Sequence, residues 1–161
     1  MGEAADAHAL LAGGLSEGVV DWVIGTKTRF VLAEDDGGIV GHIIYETSEK
    51  VDTYDWLSIR QQAGYDVFSS SAFVAPERRG QGLLGAMRGF AARHFAELGY
   101  RRNLSLVDTS NEASTRANAR IGSVPLLTLT RVRLGSLMLV WQGHRLRHID
   151  WGRKQPYVLS V

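Results

Sequence analysis

Ser71–Gly85 reads S-A-F-V-A-P-E-R-R-G-Q-G-L-L-G. An apolar strand runs into a proline, two arginines follow, and a glycine-rich turn then opens an amphipathic helix. N–H groups at a helix start have no intrahelical acceptor and sit at the positive end of the helix dipole, so an anion is favoured there. Glycine lets the main chain approach a ligand closely and adopt angles that a side chain forbids. This order of residue types describes a pocket for a phosphate-bearing ligand.

Downstream, Leu84, Met87, Ala91, Phe95 and Leu98 recur every three or four residues. That spacing predicts a helix over 82–98 with these side chains on its core face, stopped by Gly99. Upstream, Val67–Val74 reads as a strand. Arg29–Glu34 and Ile39–Glu46 flank Asp35-Asp36-Gly37-Gly38, which predicts a hairpin. Residues 47–65 are polar and mixed and read as a long loop with a helical turn around Trp56–Gln62, which would shape an acceptor site. Asn103–Val107 reads as a strand. A helix follows from about Asn111 to Ile121, capped by Ser110 or Asn111 and ended by Gly122. The tail reads as two long strands broken near Gly135, with His144–Trp151 as a short third piece. Residues 5–24 read as two short helices parted by Gly13–Gly14. The order predicts one mixed α/β (α+β) domain, mostly antiparallel at its start.

At 161 residues the chain suffices for a single domain. A net charge of +1 gives no reason to expect a nucleic-acid partner. With no cysteine there is no disulfide, thiolate ligand or cysteine nucleophile. The five histidines show no metal-binding spacing, so no metal is expected. No apolar run approaches the ~20 residues that span a bilayer, and the acidic N-terminus lacks a signal-peptide pattern. A cytoplasmic location and no membrane partner are the expectations. Arg131, Arg133, Arg145, Arg147, Arg153 and Lys154 make the tail basic and read first as a solvated face. Trp141 and Trp151 leave open a homodimer contact through the terminal strands.

With these motifs the chain resembles the GNAT family of N-acetyltransferases. The family signature is Arg or Gln, two residues, Gly, one residue, Gly or Ala, after a strand ending V-x-P. Here Val74–Pro76 gives V-A-P, Arg79 and Gly82 fit, and Leu84 replaces the last small residue, with Gly85 after it. A second motif fits at Asn111, Ser114 and Gly122, with Ser123 where the family has Phe. The resemblance spans roughly residues 28–142 of a single domain, 1–161. It implies a mixed, mostly antiparallel central sheet flanked by helices, with acetyl-CoA lying in a splay between two central strands. The main chain of Ala72, Phe73 and Val74 would pair with the pantetheine arm. Amides of Gly80, Gln81, Gly82, Leu83, Leu84 and Gly85 would hold the pyrophosphate, with Arg78, Arg79 and Arg88 adding charge. Asn111 would bond the cofactor near the pantetheine. The family's usual first strand has no evident counterpart here.

The implied activity is acetyl transfer to a primary amine of a small molecule or peptide, by direct attack. The usual acid–base residues are missing: Phe68, Ser70 and Leu106 stand at the positions of the usual carboxylate, and Asn118 at that of the usual Tyr. Strand alternation from Phe68 and Ser70 makes Asp66 the best remaining base, relayed through Ser70, with Glu46 and Asp108 in reserve. Deprotonating a lysine amine of pKa ~10.4 at pH 7 costs about 4.6 kcal/mol, and an α-amine of pKa ~7.8 about 1 kcal/mol. A site poor in bases therefore suits low-pKa amines. The same gaps also fit a rival reading, a non-catalytic acyl-CoA-binding module of regulation or assembly. A dinucleotide or P-loop binder is disfavoured: the antiparallel hairpin ahead of the glycine motif argues against it, and no G-K-[ST] occurs.

Overall fold

The computed structural model of the chain describes residues 20–21, 28–152 and 155–161. The helices expected over 5–24, the question of a first strand before them, and Arg153 and Lys154 of the basic tail lie outside or almost wholly outside these residues. The described chain falls into two compact units, one within Met1–Val51 and Gln61–Leu106, the other within Asp52–Arg60 and Val107–Val161.

In the first unit, β1 (Thr28–Asp35) and β2 (Gly38–Glu46) form the expected hairpin. The Asp35 carboxylate accepts from the Gly37 N–H at 2.8 Å, and Gly38 takes φ +117° at the turn. β5 (Asp66–Val74) pairs antiparallel with β2, and β6 (Arg102–Ser105) pairs parallel with β5, giving the order β1-β2-β5-β6. A 3₁₀ turn, Pro76–Arg78, links β5 to α1 (Leu83–Glu97). Parallel strands require such a crossover, and here α1 supplies it.

Val31, Ile43, Tyr45 and Val67 of the sheet pack against Met87, Ala91 and Phe95 of α1. The helical spacing therefore gives the core face correctly up to Phe95. Leu98, expected on that face, is instead the exposed cap residue beyond the last turn. A Cβ at Gly41 would stand 3.0 Å from the Phe73 carbonyl oxygen and 3.1 Å from Met87 Cε, so α1 packs closely on β2 there and a side chain would force its neighbours to give.

The long loop expected over 47–65 is a correction. It holds β3 (Lys50–Tyr54), which crosses from the first unit into the second, and β4 (Leu57–Arg60). Val51, Leu57 and Ile59 are buried. Their alternation with polar neighbours is the strand signal, diluted in the sequence by Asp52, Asp55 and Arg60. Thr53 Oγ1 donates to the Leu57 carbonyl at 2.9 Å across the turn.

The second unit has two sheets. β10 (Tyr157–Ser160) runs parallel to β4, giving β10-β4-β3. β7 (Leu129–Leu134), β8 (Leu137–Gln142) and β9 (Arg145–Trp151) form an antiparallel meander turned at Gly135, φ +60°, and Gly143, φ +57°. The two long strands and third piece read from the tail are these three; β10 has no counterpart in that reading. The helix α2 (Glu112–Arg120) starts at Asn111, whose side chain accepts from the Ser114 N–H at 3.0 Å.

Candidate active site

β5 and β6 share a short ladder, from Asp66 beside Arg102 to Ser69 beside Ser105. There β6 ends, while β5 continues to Val74. Ser69 Oγ donates to the Leu104 carbonyl at 3.2 Å, at the point of divergence. Beyond it no strand among the described residues pairs with β5 on the β6 side, and Ser70–Phe73 are exposed.

The ladder with β2 decides which main-chain groups face that opening. The Ala75 N–H donates to the Val40 carbonyl at 2.8 Å, so Ala75 points toward β2. With a period of two, Phe73, opposite His42, points the same way, and Ala72 and Val74 point to the open edge. Arg79 Nε donates to the Val74 carbonyl at 3.1 Å, which agrees with this assignment. Of the three residues expected to lend main chain to a ligand, Phe73 is therefore committed to β2, and Ala72 and the Val74 N–H carry the free edge, the Val74 carbonyl already accepting from Arg79.

The register between β2 and β5 shifts at Ile44/Tyr45: Ile44 faces Ser71 and Tyr45 faces Ser69. Ser70 is the extra residue of a bulge. Alternation carries Asp66 to Phe68 but is broken before Ser70, so the face argument joining Asp66 to Ser70 does not hold. Ser70 Oγ lies 3.5 Å from the Ile44 carbonyl oxygen.

At the top of β5 the chain turns through Gly80, φ +77°, and Gly82, φ +80°. These left-handed angles are available to glycine without penalty. Nothing stands within 4 Å of a Cβ built at either position, so conformation and not internal space requires glycine there. The first helical bond is from the Ala86 N–H to the Gly82 carbonyl at 3.0 Å. Among the described residues, no main-chain carbonyl accepts from the amides of Gly80 to Gly85. Gly82 caps α1 with no side-chain bond, and no acidic residue lies in its first turn. The positive end of α1 is thus open to an anion.

The cations around this turn differ in availability. Arg78 is ion-paired with Asp35. Arg79 folds over the end of β5. Arg88 has a buried Nε with no partner; burial lowers its guanidinium below the usual value, and Tyr45 opposes this. Burial pushes Tyr45 up to about 12, against the effect of Arg88, so its fully buried hydroxyl keeps its proton.

Asp66 departs from its expected role. It is 0% exposed. Arg102 Nε and Nη2 donate to its two oxygens at 2.6 and 2.8 Å, and the Gln62 N–H adds a bond of 2.8 Å. Burial raises its pKa, but the Arg102 bonds, the Gln62 bond and the Arg102 charge together outweigh burial and hold it below the usual carboxylate range. Arg102 also lies over the Tyr65 ring at 5.5 Å. A carboxylate so engaged is a poor proton acceptor; it fastens β5 to β6 below the opening.

The reserves differ too. Glu46 is buried at the end of β2. Asp108 accepts from Ser110 Oγ at 2.6 Å and the Ser110 N–H at 2.8 Å, and these bonds lower its pKa. In the second unit, Asn111 keeps its Nδ2 without a partner among the described residues. Asn118 is buried and donates to the Ser114 carbonyl at 2.8 Å, so it closes a turn of α2.

One polar pair beside the opening was not singled out from the sequence. His42 of β2 is 6% exposed and stacks on Phe73, ring centroids 5.6 Å apart. Its Nε2 lies 3.4 Å from Oγ of Ser71, which is exposed on the continuing half of β5. Its Nδ1 is buried without a hydrogen-bond partner. Burial lowers its pKa, so the ring is neutral at pH 7. The signal in the sequence was a lone His inside an apolar strand, I-V-G-H-I-I, where a titratable group needs a reason.

Among the described residues, no group of three or more His, Cys, Asp or Glu is placed to hold a metal, and no helix is long and apolar enough to cross a membrane.

No curated protein matches the chain. Solved structures do. Aminoglycoside N-acetyltransferase AAC(6')-Iy in complex with CoA aligns with TM-score 0.61 and 17% identity, over 81% of this chain and 93% of that one. Aminoglycoside 6'-N-acetyltransferase AAC(6')-Ih from Acinetobacter baumannii aligns with TM-score 0.60 and 13% identity, over 83% and 94%. Ribosomal-protein-alanine N-acetyltransferase from Brucella melitensis biovar Abortus 2308 aligns with TM-score 0.53 and 14% identity, over 82% and 96%. These likenesses establish a common fold. The model of the acetyltransferase (GNAT) family matches residues 13–122, and the chain belongs to that family of acetyl-CoA-dependent N-acetyltransferases.

Proposed function

We propose that the protein transfers the acetyl group of acetyl-CoA to a low-pKa primary amine by direct attack, with His42 and Ser71 receiving the amine's proton. The observation that carries the reading is the divergence of β5 from β6 after Ser69, with the free edge of Ala72 and Val74 leading into the unpaired amides of Gly80–Gly85. That path suits a long ligand with an amide-bearing arm and a diphosphate. Amides at the start of α1 favour the diphosphate, and Arg79 adds its charge.

The donor brings an activated thioester carbonyl; the chain holds and orients it. Binding both reactants in line is worth roughly 7–11 kcal/mol, more than acid–base help of about 10²–10⁴ in rate. Attack forms the N–C bond and breaks the C–S bond, and the thiolate takes a proton from water. The amine's proton passes through Ser71 Oγ to His42 Nε2. A neutral ring can accept it, yet its burial makes it a weak base, which again favours amines that lose a proton easily.

The neighbouring folds include enzymes named for aminoglycosides and for ribosomal-protein alanine. Both kinds of amine belong in an acceptor panel with free lysine. Release of CoA, faster with α-amines or low-pKa sugar amines than with lysine side chains, supports the reading; preference for lysine overturns it. The engaged Asp66 and the helix-closing Asn118 favour a second reading, an acyl-CoA-binding module without turnover. Saturable acetyl-CoA binding with no CoA release across the whole panel would establish that one instead.

A further inference from the structure

Ser69, Ser70 and Ser71 put three hydroxyls in a row where β5 leaves β6, and their surroundings differ. Ser69 is buried, and its Oγ donates to the Leu104 carbonyl at 3.2 Å. Ser70, the bulge residue, is exposed, with its Oγ 3.5 Å from the Ile44 carbonyl oxygen. Both hydroxyls thus face a main-chain carbonyl. Ser71 is exposed too, but its Oγ meets an imidazole, His42 Nε2 at 3.4 Å. That lies in the looser range of nucleophile–base pairs before a substrate tightens them. Such a base needs a third group to aim it. Here the Phe73 ring does so, stacked on His42 at 5.6 Å with the planes 23° apart. Phe73 stands opposite His42, and Ser71 lies two residues earlier on β5, so all three side chains share one face of the sheet.

We propose that Ser71 is itself acetylated by the donor when no amine is bound, forming an ester at Oγ with His42 as the base. The inference goes beyond amine transfer and rests on that reading only for bringing the thioester to Ser71. A hydroxyl that relays the amine's proton stands within reach of the carbonyl the amine attacks. With the amine absent, it is the nucleophile left beside that carbon. Oγ bonds to the acyl carbon, the C–S bond breaks, and the Oγ proton passes to His42 Nε2 and from there to the departing thiolate. Acetyl-CoA and a serine hydroxyl thus give a serine acetate ester and free CoA, with no other reactant. The Ala72 N–H, next along the chain and free on that edge, is available to the carbonyl oxygen as charge develops. His42 Nδ1 has no hydrogen-bond partner, so no carboxylate supports the charged ring and the ester forms slowly.

The test is incubation of the full chain with acetyl-CoA and no amine, acid quenching over a time course, and mapping of acetylated residues by mass spectrometry. Hydroxylamine removes an ester and spares an amide, which separates Ser71 from any acetylated lysine. The acetyl thioester of N-acetylcysteamine, which carries no diphosphate, serves as a second donor. The expected result is a hydroxylamine-labile acetyl group on Ser71 and not on Ser70. Its rate of formation falls by roughly 10² in His42→Gln, and Ser71→Ala lacks it. The comparison of Ser70 with Ser71 is internal to the wild type and needs no variant to fold. No ester at Ser71 with either donor, equal labelling of Ser70 and Ser71, or an undiminished rate in folded His42→Gln overturns the inference. Labelling of Ser71 by the small thioester in a chain that does not bind acetyl-CoA would overturn the cofactor reading and leave this one standing.

Discussion

The Asp66 carboxylate and the Arg102 guanidinium oppose each other on neighbouring strands, joined by hydrogen bonds of 2.6 and 2.8 Å just below the point where those strands part. The pair closes the sheet at one end and leaves the other end free to receive a ligand. Asp66→Asn should lower unfolding free energy by about 2–3 kcal/mol, less than the ~3–5 of a wholly buried pair because the Arg102 side chain is 38% exposed. Since the folded-state pKa of Asp66 is depressed, its contribution is complete above the unfolded value of ~3.9 and drains away as pH falls through the folded value. Urea melts below about pH 4 should show the wild type losing stability more steeply than the variant. The pH dependence of catalysis above pH 5 should not change; an altered rate profile in folded Asp66→Asn would return this residue to the chemistry.

His42→Gln should reduce kcat/KM by roughly 10²–10³ while leaving acetyl-CoA affinity intact. The lowered His42 pKa means the ring becomes a competent acceptor as pH rises through a value below ~6.5. Its cross-strand neighbours are Leu32 and Phe73, with Ser71 at its Nε2, and none of them titrates in this range. The wild-type kcat/KM profile should therefore carry that limb on top of the acceptor amine's own titration, and the variant's should show the amine's titration alone. Equal profiles for the two proteins would remove His42 from proton transfer.

Gly41→Ala probes packing and not the ligand. The added Cβ meets the Phe73 carbonyl oxygen and Met87 Cε at 3.0 and 3.1 Å. Met87 can shift; the main chain of β5 cannot shift as readily. A loss of about 1–3 kcal/mol is expected in thermal or urea unfolding, with little change at the Gly80–Gly85 turn. Unaltered stability would mean that α1 yields more freely than its close packing on β2 implies.

The elements with a strong period were readable. The hairpin around Asp35–Gly38, the strand Val67–Val74, the helix after Gly82 and the Asn111 cap all follow from local chemistry. β4 and β10 were not: Leu57-Ser58-Ile59-Arg60 is short, and its partner Tyr157–Ser160 lies far along the chain. The anion-binding turn was legible because glycine and helix-start chemistry are local. The proton-handling residues were not, because they depend on register. One bulge at Ser70 undoes the alternation on which the choice of Asp66 rested, and a diagonal contact from β2 brings His42 to Ser71.

The most direct measurement is calorimetric titration of acetyl-CoA into the wild type and into Gly82→Val. Gly82 sits at φ +80° with open space around its missing Cβ, so the substitution strains the turn by about 1–2 kcal/mol and fills the approach to the amides. Saturable binding by the wild type, weakened tenfold or more in a folded variant, is the result expected. No binding by the wild type, or equal binding by both, would contradict the claim that the Gly80–Gly85 amides hold the donor's diphosphate.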